Sequence, residues 1–155
     1  MLWRMVSWNE VEKAEPEFAA RVRKLFDARK HKTIATLRAD GSPRISGNEC
    51  EFADGEVTFG MMDGSRKLAD VRRDPRIAMH SPTLDPPEEG RWEGDAKLSG
   101  RAAEMPAPPD TPHDGAGFFR IDITEVALTY VGDPADHLVI ESWHAGRGYR
   151  RRTRA

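Results

Sequence analysis

At 155 residues, with 38% hydrophobic and 32% charged side chains, the chain suits a single domain spanning 1–155 whose modest core a second copy would help to cover. A net charge of −2 gives the body no electrostatic case for nucleic acid or an anionic membrane, and no apolar run approaches the ~20 residues of a membrane helix. Its single cysteine, Cys50, excludes an internal disulfide and a cysteine-based metal cluster, and charges follow Met1–Met5 where a secretory core would lie, so the expectation is a cytoplasmic protein.

The first 32 residues read as a helical segment. Ser7 and Glu10 have capping-box spacing, and Pro16 opens the main helix afresh. Phe18, Val22, Leu25 and Phe26 share one helical face, with Arg21, Arg23 and Lys24 on the other. The helix is expected to fade at Lys30-His31-Lys32, whose charges complement its C-terminal dipole, and His31 reads as a helix-end residue. From Thr33 the period becomes two: Thr33–Leu37 is a strand, Asp40-Gly41 a turn, Pro43–Phe52 a second strand, Asp54-Gly55 a turn and Val57–Gly60 a third strand. Ser46 and Gly47 interrupt the second strand, either as a bulge or because a ligand or another backbone comes close there.

Residues 59–81, FGMMDGSRKLADVRRDPRIAMHS, are the stretch the rest is expected to present. A strand runs into a loop tipped by Gly64, and Gly64-Ser65-Arg66-Lys67 opens a helix in which Leu68 and Val71 share a face. Pro75 ends that helix near Asp74, and Arg76–Met79 is the next strand. A helix N-terminus with a hydroxyl, a guanidinium and an ammonium suits a phosphate monoester, so the unit reads as a β-α-β phosphate clasp; the bland alternative is a capped, solvated first turn.

Pro82–Asp95 is a Pro-rich acidic loop with Trp92 near its end, expected to be exposed. Ala96–Glu104 alternates as a strand, and Met105–Gly117 holds too many prolines for a helix. Phe118–Ile123, a turn at Thr124-Glu125, Val126–Val131 and Leu138–Ile140 complete about seven strands, with two helices outside them. The basic tail, 146–155, is expected to be a solvated end, with ordering against an anion or contact with nucleic acid as the sharper readings. His80, His113, His137 and His144 are scattered, so no metal site is expected, and nucleophile-elbow, Walker and dinucleotide motifs are absent. Cys50 lies between Glu49 and Glu51, whose charges would raise a thiol pKa and weaken it as a nucleophile, although strand alternation lets its side chain face the other way.

The segment GSRKLADVRRDPRIAM resembles the flavin-phosphate segment of the pyridoxamine 5′-phosphate oxidase family, in which Ser-Arg-Lys precedes a short helix and a Pro-led strand. Arg44-Ile45-Ser46-Gly47 stands where that family has an Arg and flavin-lining backbone, and Gly100 to Glu104 is similar to its fifth strand. The likeness runs from about Thr33 to Val131. It implies a small antiparallel split β-barrel, mainly β with flanking helices, forming a homodimer with FMN at the subunit interface. It further implies that Ser65, Arg66 and Lys67 hold the FMN phosphate, that Gly60 and Met61 lie along the ribityl and ring, and that Arg44, Ile45, Ser46 and Gly47 edge the flavin. The family's late Trp corresponds to Tyr130 by strand order or to Trp143 by residue type. The residues with which the true oxidase grips its vitamin substrate are missing, so pyridoxamine phosphate oxidation is not expected. The implied activity is an FMN-dependent oxidoreductase acting on a small molecule. Alternatives are a reductase using the deazaflavin coenzyme F-420, and a non-catalytic flavin- or haem-binding carrier or sensor.

Overall fold

The computed structural model describes residues 4–112 and 114–155. His113, one of the scattered histidines, lies outside the described residues, and so do Met1 to Trp3. Among the described residues are three helices and nine strands, in the order α1 (Trp8–Ala14), α2 (Pro16–Asp27), β1 (His31–Leu37), β2 (Pro43–Glu49), β3 (Glu51–Ala53), β4 (Glu56–Met61), α3 (Arg66–Arg73), β5 (Arg76–His80), β6 (Asp95–Met105), β7 (Gly117–Val131), β8 (Leu138–His144) and β9 (Gly148–Arg154).

All strand pairs are antiparallel. The sheet runs β2-β1-β5-β6-β7-β4-β3, with β8 also on β7 and β9 on β8. The long β7 makes this possible, because its first part pairs with β4 at Gly117–Arg120 and its last part with β8 at Glu125–Val131. Between those two partners sits a bulge: Ser99 pairs with Glu125 and Gly100 with Ile123, so Thr124 is the extra residue. Its carbonyl accepts from the Ala145 N–H at 2.9 Å. A side chain at position 100 would place its Cβ 2.0 Å from the Asp122 carbonyl, so this crossing needs glycine. The sheet does not close. β2 lies beside β4, yet β2 bonds only to β1 and β4 only to β3 and β7, which leaves a split between them.

Inside the sheet, Phe59 and Phe119 stack at 5.2 Å, and Trp8 meets Phe52 edge-on at 4.8 Å. Phe18, Val22, Leu25 and Phe26 bury the face of α2 that their spacing predicts, with Pro16 at its start. Burying this set supplies most of the drive to fold, roughly 1.5–3 kcal/mol per large side chain.

Several expectations change. The helix stops at Asp27, and His31-Lys32 belong to β1, where Lys32 Nζ turns back to the Arg29 and Lys30 carbonyls at 2.8 and 3.0 Å. The second strand breaks at Cys50 into β2 and β3. The expected turn at Thr124-Glu125 is the bulge, so β7 is continuous. The tail is ordered as β9, paired along its whole length with β8. A single-residue bulge preserves strand direction, which a local turn signal cannot distinguish from a reversal. The described part of the 105–117 stretch contains no helix, and no described helix is long and apolar enough to cross a membrane.

Candidate functional site

The split between β2 and β4 is where the clasp sits. Gly64, with φ +74°, takes the left-handed turn that aims the chain into α3, and Ser65 caps the helix by accepting from Leu68 N–H at 3.3 Å. Arg66 opens the helix and is exposed. Lys67 reaches across the split: its Nζ donates to the Gly47 carbonyl and to Asn48 Oδ1, both at 2.8 Å. Burial lowers the Lys67 pKa. Gly47 has no atom within 4 Å of where a side chain would begin, so packing within this chain does not require a glycine there. Gly60 faces outward on β4, against the Phe118 ring.

Beneath the clasp lies Asp70, only 2% exposed. Its Oδ2 accepts from Arg44 Nε at 2.7 Å and Thr36 Oγ1 at 2.8 Å, and its Oδ1 accepts from Arg73 Nη2 at 2.9 Å. Burial pushes the carboxyl pKa up, but the bonds from Arg44, Thr36 and Arg73 together outweigh it and hold Asp70 below the usual carboxylate range. Asp70 thereby fixes Arg44 at the edge of the split.

Ser65, Arg66 and Lys67 on α3, Arg44 to Gly47 on β2 and Gly60 on β4 are thus grouped around one split. Ile45 is 75% exposed and Met62, just after β4, 74%. The Met61 side chain is in the core, which leaves its backbone to face the split. Tyr130 and Trp143 are not brought to the clasp within this chain. Tyr130 lines a cleft with Arg21 and Trp92, the Arg21 guanidinium 4.9 Å from its ring, and Trp143 is buried in the core. Reading the sequence alone misses Asp70, Thr36 and Asn48. One signal was available for Asp70: an acid beside Val71 on the buried stripe of a short helix needs partners.

A second cavity, about 430 Å³, lies beside Gly60 between Cys50, Thr58, Phe118, Met105 and Pro108. Burial pushes the Cys50 thiol up to about 11. The charges that act on it are Lys32, which lowers it, and Asp27, which raises it, in place of the neighbouring Glu49 and Glu51. Alternation along the chain turns those two acids, both exposed, away from the half-buried sulfur.

Residues 18–129 match the pyridoxamine 5′-phosphate oxidase family. The chain belongs to that family. Among solved structures, a pyridoxamine 5′-phosphate oxidase-related, FMN-binding protein from Nostoc punctiforme superposes with a TM-score of 0.64 at 10% identity, covering 91% of this chain and 96% of its own. An F420 reductase gives 0.52 at 14% identity, over 66% of this chain and 92% of the other. A heme binding protein from Mycobacterium smegmatis gives 0.53 at 12%, over 87% and 86%. These likenesses show a shared split-barrel fold. No curated protein matches the chain.

Proposed function

We propose that this chain is a flavin-dependent oxidoreductase that binds FMN in the split between β2 and β4 and transfers hydride to a small molecule. The observation that carries the reading is the opening of α3 against that split, with Lys67 already bridging from the helix to β2. The residues present fit a flavin mononucleotide: a helix start with Ser65, Arg66 and Lys67 for a phosphate, then two glycines, Gly47 and Gly60, bordering the same gap.

When bound, FMN supplies the hydride chemistry, and the protein supplies position and charge. Arg66 and Lys67 would pair with the phosphate, and Lys67 would exchange its Gly47 and Asn48 acceptors for it. Arg44, oriented by Asp70, would edge the flavin with the backbone of Ile45, Ser46 and Gly47. Gly60 and the backbone of Met61 would border the ribityl and ring from β4. The exposed Ile45 and Met62 support a homodimer whose second copy covers the split. In such a dimer Tyr130 or Trp143 would act, if at all, from the region of β7 and β8. The protein is proposed to act as a single domain in the cytoplasm.

A second reading replaces FMN by the deazaflavin coenzyme F-420, whose phosphate would use the same clasp; the shared fold of an F420 reductase supports it. An absorbance spectrum of the purified protein separates flavin, deazaflavin and haem. The proposal itself is tested by Lys67→Ala, which should weaken FMN binding by about ten- to a hundredfold, roughly 1.5–3 kcal/mol, with the fold retained. Unchanged affinity in the folded variant would sink the phosphate assignment.

A further inference from the structure

β9 is a long free edge of the sheet. It pairs with β8 along all seven of its residues, in unbroken register, and with no other described strand. The other edges are blunted, since β2 opens on Pro43 and borders the split and β3 is only three residues long. In an antiparallel pair every second residue turns its N–H and C=O away from its partner, so the outer side of β9 presents a row of backbone donors and acceptors. Among the described residues nothing bonds to that row.

Charge is concentrated on the same strand. Five of the chain's 24 lysines and arginines lie in residues 146–155, which hold no acid, and this leaves 19 against 26 acids in the rest of the chain. Arg150, Arg152 and Arg154 alternate along β9 and so share a face, with Ser142, Ile140 and Leu138 opposite them on β8. Arg147, Arg150 and Arg152 line a hollow of about 110 Å³ with His144, Ser142 and Glu125. Among the described residues, none of these four arginines has an ion pair or a side-chain hydrogen bond, and Glu125 bonds to none of them. Leu138, 37% exposed, adds apolar surface beside Arg154.

A charged edge repels strands of its own sign and attracts those of the other. A second β9 would set arginine against arginine, so the edge is closed to another copy of itself. An extended segment with Asp or Glu at alternate positions matches the two-residue period of the arginines and continues the backbone ladder. We propose that β9 is a docking edge for such a segment of an acidic partner protein, which adds as a further strand and sets its carboxylates against Arg150, Arg152 and Arg154. The inference is independent of the FMN reading, none of whose residues lie on β9.

The test uses the full chain and a fluorescently labelled peptide, Thr-Glu-Val-Glu-Val-Glu-Thr with blocked ends, titrated by anisotropy at low ionic strength. The wild type should bind it, and the same peptide N-methylated at alternate residues, which removes the donors that face β9, should bind at least about tenfold more weakly. The double variant Arg150→Glu, Arg152→Glu should lose about tenfold or more for the unmodified peptide, with FMN affinity within about twofold of wild type. The N-methylated peptide keeps the proposal falsifiable should that variant fail to fold, because it reads the wild-type protein. No binding by the wild type overturns the docking edge. Equal binding of the two peptides also overturns it, since charge alone would then hold them. Tighter binding of a single-stranded oligonucleotide of equal charge would make β9 a nucleic-acid face instead. A loss of FMN affinity in the double variant as large as its loss for the peptide would assign the arginines to the cofactor, and that too overturns the proposal.

Discussion

The buried carboxylates of Asp70 and Glu141 both hold arginines, and they do so to different ends. Asp70 on α3 binds Arg44 and Arg73 in a hollow that contains two further arginines, so its neighbourhood stays cationic. Glu141 on β8, 5% exposed, accepts from Arg21 Nη1 at 2.8 Å and from the Tyr149 hydroxyl at 2.5 Å. Burial pushes Glu141 up, but hydrogen bonds from Tyr130, Tyr149 and Arg21 bring it below the usual carboxylate range. There the carboxylate answers Arg21 and phenols complete its bonds, with Arg151 opposite it on β9. A buried ion pair costs desolvation either way, and what differs between the two is the number of arginines that one carboxylate holds.

The comparison is broken most severely on the Glu141 side. Truncation after Gly146 removes β9, the Tyr149 bond to Glu141 and the edge-on contact of Tyr149 with Phe18 at 5.7 Å. It should destabilise the protein by on the order of 3–5 kcal/mol, measured by urea unfolding. A truncated chain with wild-type stability would mean that β9 is a tethered tail, as the sequence alone suggests.

Asp70→Ala should cost less, about 2 kcal/mol, because its partner Arg73 is substantially exposed and can be hydrated. The pH dependence follows from the lowered pKa. With the folded value below the ordinary 3.8, the stabilisation is present above 3.8 and is lost as pH falls through the lower folded value. Stability of the wild type should therefore fall more steeply than that of Asp70→Ala as acid is added below about pH 4. Parallel acid profiles for the two proteins would show that Asp70 is not the anchor of the arginines around it. Because Asp70 orients Arg44, the variant should also bind FMN more weakly, whereas Glu141→Gln should leave FMN affinity unchanged.

How much of this could be read beforehand depends on the range of each interaction. The α2 stripe, the clasp and the Pro75 stop are local, and periodicity or a single residue's backbone geometry specifies them. Gly47 interrupting its strand is also a local signal, and it marks a place on the edge of the split. Asp70's bonds to Thr36 and Arg44 span 34 and 26 residues, and the hollow they border joins the β1–β2 hairpin to α3, so neither leaves a local pattern. The order of the tail escapes a local reading for the same reason. Its arginines are exposed, as their run suggests, yet Tyr149, embedded among them, pairs opposite Trp143 and anchors the strand.

Cys50 tests the same logic with the smallest effect, because it is a half-buried titratable group whose ionised form Lys32 favours too weakly to offset burial. Asp70 and Glu141 keep their charge through hydrogen bonds that outweigh burial, whereas for Cys50 burial wins and the thiol rises to about 11. At neutral pH the thiolate is then a fraction on the order of one in ten thousand. Iodoacetamide should label the native protein far more slowly than the unfolded one at pH 8, and the native rate should keep rising with pH to about 11. Cys50→Ala should change stability by less than about 1.5 kcal/mol, since half-buried sulfur is replaced by a methyl, and should leave FMN affinity, where FMN binds as proposed, as it is. A labelling rate that levels off by pH 9 would place an unrecognised cation beside the sulfur. Among the described residues Lys32 is the cation that acts on it, and its ammonium is already bound to the Arg29 and Lys30 carbonyls.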